Sequence, residues 1–214
     1  MTIQRDSVIG TALSLLDAHG LEGLTMRKLA ETLEIKAASL YWHFDNKRAL
    51  IDGMADALIE GVATDVAEQP WAHTLRQVAH ELRDALRAHR DGARVYAGTY
   101  VVTDNVMRTG ETMIAACMQA GAKPRLAADT AFSILYFVLG LVMEEQALDG
   151  DGRVDLEARK QAFLDLASET YPCSLKASDA IFDVDFDARF DTGLELIVGG
   201  LESLLARRGK RRAA

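Results

Sequence analysis

Side chains that can donate to DNA bases and phosphates are concentrated near the amino terminus of the chain. The stretch from Leu24 to Leu50 reads LTMRKLAETLEIKAASLYWHFDNKRAL. Lysine and arginine donate to phosphates and base edges, aromatic donors add apolar contact, and small residues let the backbone approach the groove. The candidate contact residues are Arg27, Lys28, Lys36, Ala37, Ser39, Tyr41, Trp42, His43 and Lys47. Their chemistry predicts a surface for double-stranded DNA.

Two short helices joined by a turn are predicted to position these residues. Apolar residues recur every three or four positions over residues 26–33, and Thr25 before them is a suitable N-cap. Residues 34–36 break the pattern, which resumes over residues 38–44. Such a pair is a helix-turn-helix, whose second helix enters the major groove. Asp45 is the predicted N-cap of the helix that follows.

Some of these residues also have a simpler interpretation in packing or solvation. Leu40 and Phe44 are expected in the core, and Trp42 fits packing and DNA contact about equally well. The basic tail from Arg207 to Arg212 is expected to be a solvated end rather than a DNA contact. For Lys47 the DNA interpretation is favoured, because this residue lies beside a predicted helix N terminus whose N–H groups attract phosphate.

The string from Gly20 to Leu50 resembles the DNA-binding domain of the tetracycline-repressor (TetR) family. Its L-Y-W-H at residues 40–43 and its N-K-R-A-L at residues 46–50 are similar to the branch that contains the tetracycline repressor. The resemblance implies operator contacts for seven residues, namely Arg27, Ala37, Ser39, Tyr41, Trp42, His43 and Lys47. Polar or proline residues of that repressor are replaced here by Met26, Ala37 and Ala38, so the operator need not be the same sequence.

The distribution of charge reconciles an acidic chain with DNA binding. The 214 residues carry a formal net charge of -8, whereas nucleic-acid binders are usually basic. Residues 25–48 hold five Lys or Arg against three Asp or Glu, a local charge of +2, which leaves -10 for the remainder. The basic end is expected to be steered onto DNA first. The modest local charge predicts few phosphate contacts per subunit, so affinity should depend on dimerisation and fall with added salt.

Composition excludes several other classes of protein. With 49% hydrophobic residues, the chain is long enough to bury a sizeable core. No apolar run is expected to reach the roughly 18 residues of a membrane span, and residues 1–6 lack the pattern of a signal peptide. The protein is therefore expected to be cytoplasmic, with no membrane partner. Cys117 and Cys173 lie far apart in sequence and are expected to be free thiols.

The apolar periodicity predicts an all-α fold with two domains. The predicted helices cover residues 6–19, 47–62, 71–89, 106–120, 126–146 and 190–205, with another around residues 163–166 and a loop over residues 169–180. Residues 1–46 are predicted to be a three-helix helix-turn-helix DNA-binding domain and residues 47–70 a connecting helix and linker. Residues 71–214 are predicted to be α-helical, and the family resemblance implies that they form a ligand-binding and dimerisation domain. Residues 126–146 are apolar on nearly every side, which predicts burial all round.

The family resemblance also implies a homodimer. In the family, the helices that correspond to residues 126–146 and 190–205 form a four-helix interface between two subunits. Twofold pairing places two recognition helices on one side of the dimer, which suits a pseudo-palindromic operator.

A small-molecule site in the second domain is implied as well, and here the residues depart from the tetracycline repressor. Four of its polar positions, including a metal-ligand histidine and a drug-contacting asparagine, are occupied here by Tyr96, Val78, Ala63 and Thr112. Thr99 and Glu144 are kept, and Glu144 alone is thin support for magnesium, so no metal or cofactor is expected. The implied cavity residues are Val78, Leu82, Tyr96, Thr99, Thr112, Met113, Tyr136 and Glu144. They predict a lipophilic inducer, either an antibiotic or a metabolite.

These observations predict a ligand-responsive repressor that releases its operator when the inducer binds. The alternative is a constitutive DNA-binding regulator whose second domain is purely structural. An enzyme is disfavoured, because the adjacent Glu144 and Glu145 point about 100° apart on a helix and cannot act as a facing pair. The histidines of the second domain are expected to be ordinary satisfied or exposed side chains, namely His73, His80 and His89.

Overall fold

The computed structural model describes residues 4–148 and 154–213, with side chains described as far as Arg207, and these residues form helices and connecting turns. The helices are α1 (Arg5–Gly23), α2 (Met26–Thr32), α3 (Ala37–Leu40), α4 (Lys47–Leu58), α5 (Trp71–Arg87), α6 (Gly92–Tyr96), α7 (Asp104–Gln119), α8 (Pro124–Leu148), α9 (Leu156–Thr170), α10 (Pro172–Lys176), α11 (Ser178–Phe182) and α12 (Phe186–Ala213). The all-α prediction is confirmed. Most of the basic tail at residues 207–212 lies outside the described side chains.

Local chemistry sets the boundaries of the first helices. Gly20 adopts φ +66 and interrupts α1 at the residue predicted to end it. The Thr25 hydroxyl accepts a hydrogen bond from the Lys28 N–H at 3.1 Å, which confirms Thr25 as the N-cap of α2. The prediction of Asp45 as the next cap is wrong. Asn46, directly before α4, is the cap, because its Oδ1 accepts from the Ala49 N–H at 2.9 Å.

One hydrophobic core joins the head, formed by α1 to α4, to the helices behind it. Leu40 and Phe44 are buried in it, as predicted. Helix α4 ends at Leu58, earlier than predicted, because the chain turns over residues 59–63 and Ala63 takes a left-handed φ of 56. That turn is held by polar contacts from other elements, since the Ala63 N–H donates to the Glu81 carboxylate at 2.8 Å.

Helix α8 is the centre of the second domain, and it packs against α5, α6, α7 and α12. The expected burial on every side needs a second copy of the chain, because within one subunit Phe132 is 48% exposed and Tyr136 is 60% exposed. Helix α12 likewise leaves Leu196 74% exposed. Both helices therefore present apolar side chains that nothing in one subunit covers.

The sequence-based expectation that no segment is apolar enough to cross a membrane is also wrong. Among the described residues, α8 has the length and composition of a membrane span, with a mean hydropathy of 1.9 over its most apolar window. A core helix of a soluble protein passes the same test, and α8 packs on α5, α6, α7 and α12.

The segment after α8 is more helical than predicted. The loop expected over residues 169–180 contains α10 and part of α11, so that prediction is wrong. Pro172 is at the start of α10, where its missing N–H and fixed φ are tolerated. Helices α9 to α11 pack mainly on one another, and the rings of Phe163 and Phe182 meet edge to face at 5.2 Å.

Candidate DNA-binding and ligand-binding sites

The predicted DNA contacts lie in the helix-turn-helix and at the first residue of α4. Lys36 is the N-cap of α3, and Trp42, just after that helix, is 90% exposed. Exposed side chains include Arg27, Lys36, Ala37, Tyr41, Trp42 and Lys47, whereas Lys28, Ser39 and His43 are half-buried. An indole of this size left in solvent contributes little to the core, so the structure removes the packing interpretation of Trp42. The contacts themselves remain a prediction.

Arg27 has a partner within its own helix. Its Nε donates to the Glu31 carboxylate at 2.8 Å, and its side chain is 88% exposed. Hydrogen bonding to Glu31, followed by the charge of that carboxylate, raises the pKa of Arg27. Exposed pairs of this kind contribute little to stability, so Arg27 is able to exchange Glu31 for a phosphate or base edge.

The second domain contains two neighbouring apolar chambers of about 220 Å³ each, which together are called the cavity. The chambers share four wall residues, Tyr96, Val106, Phe132 and Leu135. One chamber opens towards residues 98–101, and the other lies between α7 and α8. Taken together, the two chambers fall in the size range of small-molecule sites, which are mostly apolar with a few placed polar groups.

Five of the eight predicted cavity residues line these chambers, namely Leu82, Tyr96, Thr99, Met113 and Tyr136. The placement of the other three in the cavity is not supported. Val78 is fully buried in the core, and Thr112 faces a separate open groove beside residues 63–69. Glu144 is exposed and lines neither chamber. Along α8 the next residue, Glu145, is the one that is buried.

Several cavity residues were missed by sequence reasoning. Phe132, Leu135 and Leu139 recur at helical spacing on α8, a pattern that also fits simple core packing. Tyr100 and Val101 come from the segment between α6 and α7, whose path no periodicity reveals. The four-residue spacing of Phe132 and Tyr136, whose rings stack at 5.7 Å, was the available signal.

The cavity wall is bonded directly to helix α4. The Arg48 guanidinium donates from Nη2 to the carbonyl oxygens of Gly98 at 2.7 Å and Thr99 at 3.0 Å. At the other end of α4, the Thr103 hydroxyl donates to the Asp56 carboxylate at 2.6 Å. Arg108 of α7 donates to the carbonyl of Val62 at 3.0 Å. Both ends of α4 are thus tied to the segments that border the cavity.

A second set of polar contacts joins α1 to the start of α6. The Leu21 N–H donates to Asp91 Oδ2 at 2.8 Å, and Arg94 donates to Asp91 Oδ1 at 2.9 Å. Burial raises the pKa of Asp91, but the hydrogen bonds from Leu21 and Arg94 outweigh it, so the net pKa is lowered. A lowered pKa means that this junction stabilises the fold above the unfolded-state pKa and loses that contribution as the pH falls through the folded-state pKa.

A buried ion pair connects three helices of the second domain. Arg83, only 3% exposed, donates to both carboxylate oxygens of Glu145 at 3.2 Å and approaches Asp187 at 2.7 Å. The guanidinium also lies over the ring of Phe190 at 4.9 Å. These contacts join α5, α8 and α12. Hydrogen bonding and charge from Arg83 lower the pKa of Asp187.

The histidines and cysteines of the second domain do not form a common site. His80 is 3.2 Å from Asp191, and His89 is 2.9 Å from Asp17 across the junction with α1. Cys117 is a buried free thiol whose pKa burial raises to about 11, and Cys173 is an exposed free thiol. A thiol with so high a pKa is a poor nucleophile at neutral pH.

Two family models match the chain. Residues 8–54 match bacterial regulatory proteins of the tetR family, and residues 65–205 match the tetracyclin repressor-like C-terminal domain. Tetracycline repressor protein class C of Escherichia coli is 38% identical over 206 residues, covering 94% of this chain and 92% of that protein.

Solved structures of similar proteins match the chain over nearly its whole length. The TetR family protein ActR of Streptomyces coelicolor in complex with actinorhodin has a TM-score of 0.86 at 30% identity, covering 96% of this chain and 99% of that one. BioQ with its double-stranded DNA operator has a TM-score of 0.69 at 26% identity, covering 94% of this chain and 99% of that one.

Proposed function

The chain belongs to the TetR family of DNA-binding transcriptional regulators, and we propose that it is a cytoplasmic, ligand-responsive repressor. In this proposal residues 1–46 bind operator DNA, residues 47–70 transmit the signal, and residues 71–214 bind the inducer and dimerise. A lipophilic molecule in the cavity releases the operator. The relatives that bind DNA or a small molecule by name support the two halves of this proposal.

The contact of Arg48 with the cavity wall is the observation that carries the proposal. Gly98 and Thr99 line the cavity, and their carbonyl oxygens accept from an arginine in the second residue of α4. The preceding residue, Lys47, is a predicted DNA contact. A ligand that displaces residues 98–99 therefore changes the support of the helix that begins at the DNA surface.

The exposed apolar faces of α8 and α12 support a homodimer. Within one subunit, Phe132 on α8 is about half exposed, and Tyr136 on α8 and Leu196 on α12 are mostly exposed. Contiguous exposed apolar side chains mark interaction sites, and the family resemblance implies that these two helices pair with those of a second copy. Two subunits then present two copies of α3 to a pseudo-palindromic operator.

Release follows from a difference in affinity between two conformers. A ligand shifts the population only if it binds more tightly to the conformer whose α3 helices do not fit the operator. A shift from one per cent to 99 per cent of that conformer needs a preference of about 10⁴-fold. Contacts that reach α4 directly are suited to create such a preference.

The residues at the positions that the resemblance assigns to ligand and metal binding favour an inducer other than a tetracycline–magnesium chelate. Tyr96 occupies the position that the resemblance assigns to a metal-ligand histidine, and Ala63 is a buried turn residue. Glu144 faces solvent rather than the cavity. Magnesium prefers oxygen ligands in octahedral geometry, and the cavity wall supplies few of them.

Fluorescence anisotropy of a labelled DNA fragment from beside the coding region of the protein tests the proposal. We expect tight binding that one compound from a panel of hydrophobic antibiotics and metabolites reverses, with no release by tetracycline and magnesium. Binding that no compound reverses would support a constitutive regulator instead. Release by tetracycline only when magnesium is present would contradict the choice of inducer.

Replacing Arg48 by glutamine is expected to weaken the coupling between the two sites. The operator affinity of R48Q without ligand should stay within about threefold of the wild type, whereas the loss of affinity caused by the releasing compound should shrink about tenfold, since coupling free energies are typically about 1–3 kcal/mol. Anisotropy titrations with and without the compound measure both quantities.

Arg125→Gln is the matched control for R48Q. Arg125 is 90% exposed and pairs with Asp129 in the same helix, far from α4 in sequence. It should respond to the ligand as the wild type does. An R48Q variant with the full wild-type response would show that the bond to residues 98–99 does not transmit the signal.

A further inference from the structure

The exposed surface of α3, the recognition helix of the helix-turn-helix, consists of methyl groups. This helix has four residues, Ala37, Ala38, Ser39 and Leu40. Leu40 is fully buried and Ser39 is half-buried, whereas both alanines are exposed. In a helix-turn-helix the first residues of the recognition helix contact base edges in the major groove. The two side chains at those positions can neither donate nor accept a hydrogen bond.

The position of α3 is set by the core behind it and by the turn before it. Leu40 anchors the helix in the core, and the Ile35 N–H donates to the Ala30 carbonyl at 3.0 Å. These contacts use neither of the two exposed alanine side chains of α3. Both methyl groups are therefore available for contact with DNA, and their removal takes nothing from the core.

The hydrogen-bonding side chains of the DNA surface flank the exposed face of α3. Lys36 precedes the helix, exposed aromatic side chains follow it, and Arg27 is on α2. Arg27 is paired with Glu31 in its own helix. These side chains are placed to reach phosphates and base edges around α3. The base pairs that face the two alanines are left with apolar contact alone.

Thymine is the base that offers an apolar group in the major groove. Its C5-methyl group projects there, and contact between this methyl group and an alanine side chain is a recurrent form of base readout. A polar base edge that faced an alanine would lose its water without gaining a hydrogen bond, which is costly. The exposed face of α3 therefore favours thymine at the base pairs that it meets.

We propose that Ala37 and Ala38 read thymine C5-methyl groups in each half of the operator, so that this part of the DNA sequence is recognised by apolar contact instead of hydrogen bonds. This inference rests on the proposed function, and it makes Ala38 a further residue that determines operator specificity. Burial of one methyl group corresponds to about fourfold in affinity, so contacts repeated in both subunits of a dimer give at least about tenfold.

Deoxyuridine tests the inference, because it pairs as thymidine does and lacks only the C5-methyl group. The DNA fragment from beside the coding region is prepared in two forms, with thymidine or with deoxyuridine at every such position. Anisotropy titration of the full-length protein should show the deoxyuridine form binding at least about tenfold more weakly. An unrelated fragment should bind equally in its two forms, since nonspecific binding depends on phosphate charge.

A double-mutant cycle separates direct contact with the methyl groups from changes in DNA shape. The variant A37G/A38G removes both protein methyl groups from each subunit. It should lose at least about tenfold in affinity for the thymidine form. For the deoxyuridine form it should lose no more than about threefold, because only the lower helix propensity of glycine remains to act there.

Lys36→Gln and Ala158→Gly are the matched controls. Lys36 acts through charge and hydrogen bonding, so its replacement should lower the affinity for both forms by the same factor. Ala158 is an exposed alanine in the first turn of α9. Glycine at this position should leave the affinity for both forms unchanged.

The outcomes separate this inference from the proposed function. Equal affinity of the wild type for the two forms of the fragment would overturn the inference while leaving a ligand-responsive repressor intact. Equal losses of A37G/A38G on the two forms would show that deoxyuridine acts through DNA shape, which would also overturn it. Absence of specific binding to the thymidine form would contradict the proposed function, and the inference would fall with it.

Discussion

Replacing Trp42 by alanine is expected to weaken operator binding about 100-fold without lowering the stability of the protein. The indole is 90% exposed next to the recognition helix, so its removal takes almost nothing from the core. Each protein–DNA contact contributes about 1–3 kcal/mol, and a dimer would lose two copies of it. The loss is measured by anisotropy on the operator, and stability by thermal unfolding of the free protein.

Val102→Ala is the control for W42A, because Val102 is 84% exposed in the segment between α6 and α7. It should bind the operator as the wild type does. If W42A bound with wild-type affinity, the assignment of the DNA surface to the region after α3 would be contradicted. If W42A unfolded at a much lower temperature, the indole would be a packing residue after all.

Replacing Glu145 by alanine is expected to destabilise the fold by about 3 kcal/mol or more. The change leaves Arg83 buried at 3% exposure with Asp187 as its remaining carboxylate partner, and a buried charge that loses a partner is costly. For a chain of this size the unfolding temperature should fall by roughly 6–12 °C. The measurement is thermal unfolding at one fixed protein concentration, since the stability of a dimer depends on concentration.

The adjacent Glu144 provides a matched control within the same helix turn. Its side chain is exposed, so Glu144→Ala should shift the unfolding temperature by about 2 °C at most. Equal effects of the two substitutions would contradict the description of α5, α8 and α12 as joined by a buried ion pair.

Features that depend on local chemistry were predictable from the sequence. Thr25 caps the start of α2 and Gly20 interrupts α1, as expected. A capping hydroxyl and a glycine both act within one helical turn, so neighbouring residues are enough to predict their effect. The prediction of Asp45 as the N-cap of α4 was wrong, although this feature is also local, because Asn46 is the cap. Both side chains are suitable caps, and only the backbone position decides which of them reaches the N–H three residues ahead.

Features that depend on tertiary contacts were not predictable. The apolar pattern continues past Leu58, yet α4 stops there because the following turn is bonded to Glu81 and Arg108 from other helices. The orientation of Glu144 and Glu145 follows from the rotation of α8 about its own axis. Sequence periodicity fixes that rotation poorly in a helix with apolar residues on nearly every side.

The candidate cavity shows the same division. Tyr96 and Thr99 were implied by a family motif, and they line a chamber because the end of α6 and the turn after it place them there. Val78 and Thr112 were implied by the same resemblance, but Val78 is buried in the core and Thr112 lines an outer groove. The contribution of Tyr100 and the link from Arg48 to the wall became visible only with the backbone path of residues 97–103.

The most direct test of ligand-driven release is the affinity of the releasing compound for the protein, measured with and without saturating operator DNA. Because linkage is reciprocal, a compound that lowers operator affinity by some factor must itself bind more weakly to the operator complex by the same factor. We expect the two factors to agree, with typical coupling of about 5- to 150-fold. Equal ligand affinity in the presence and absence of operator would contradict the proposal that occupation of the cavity controls the DNA-binding head.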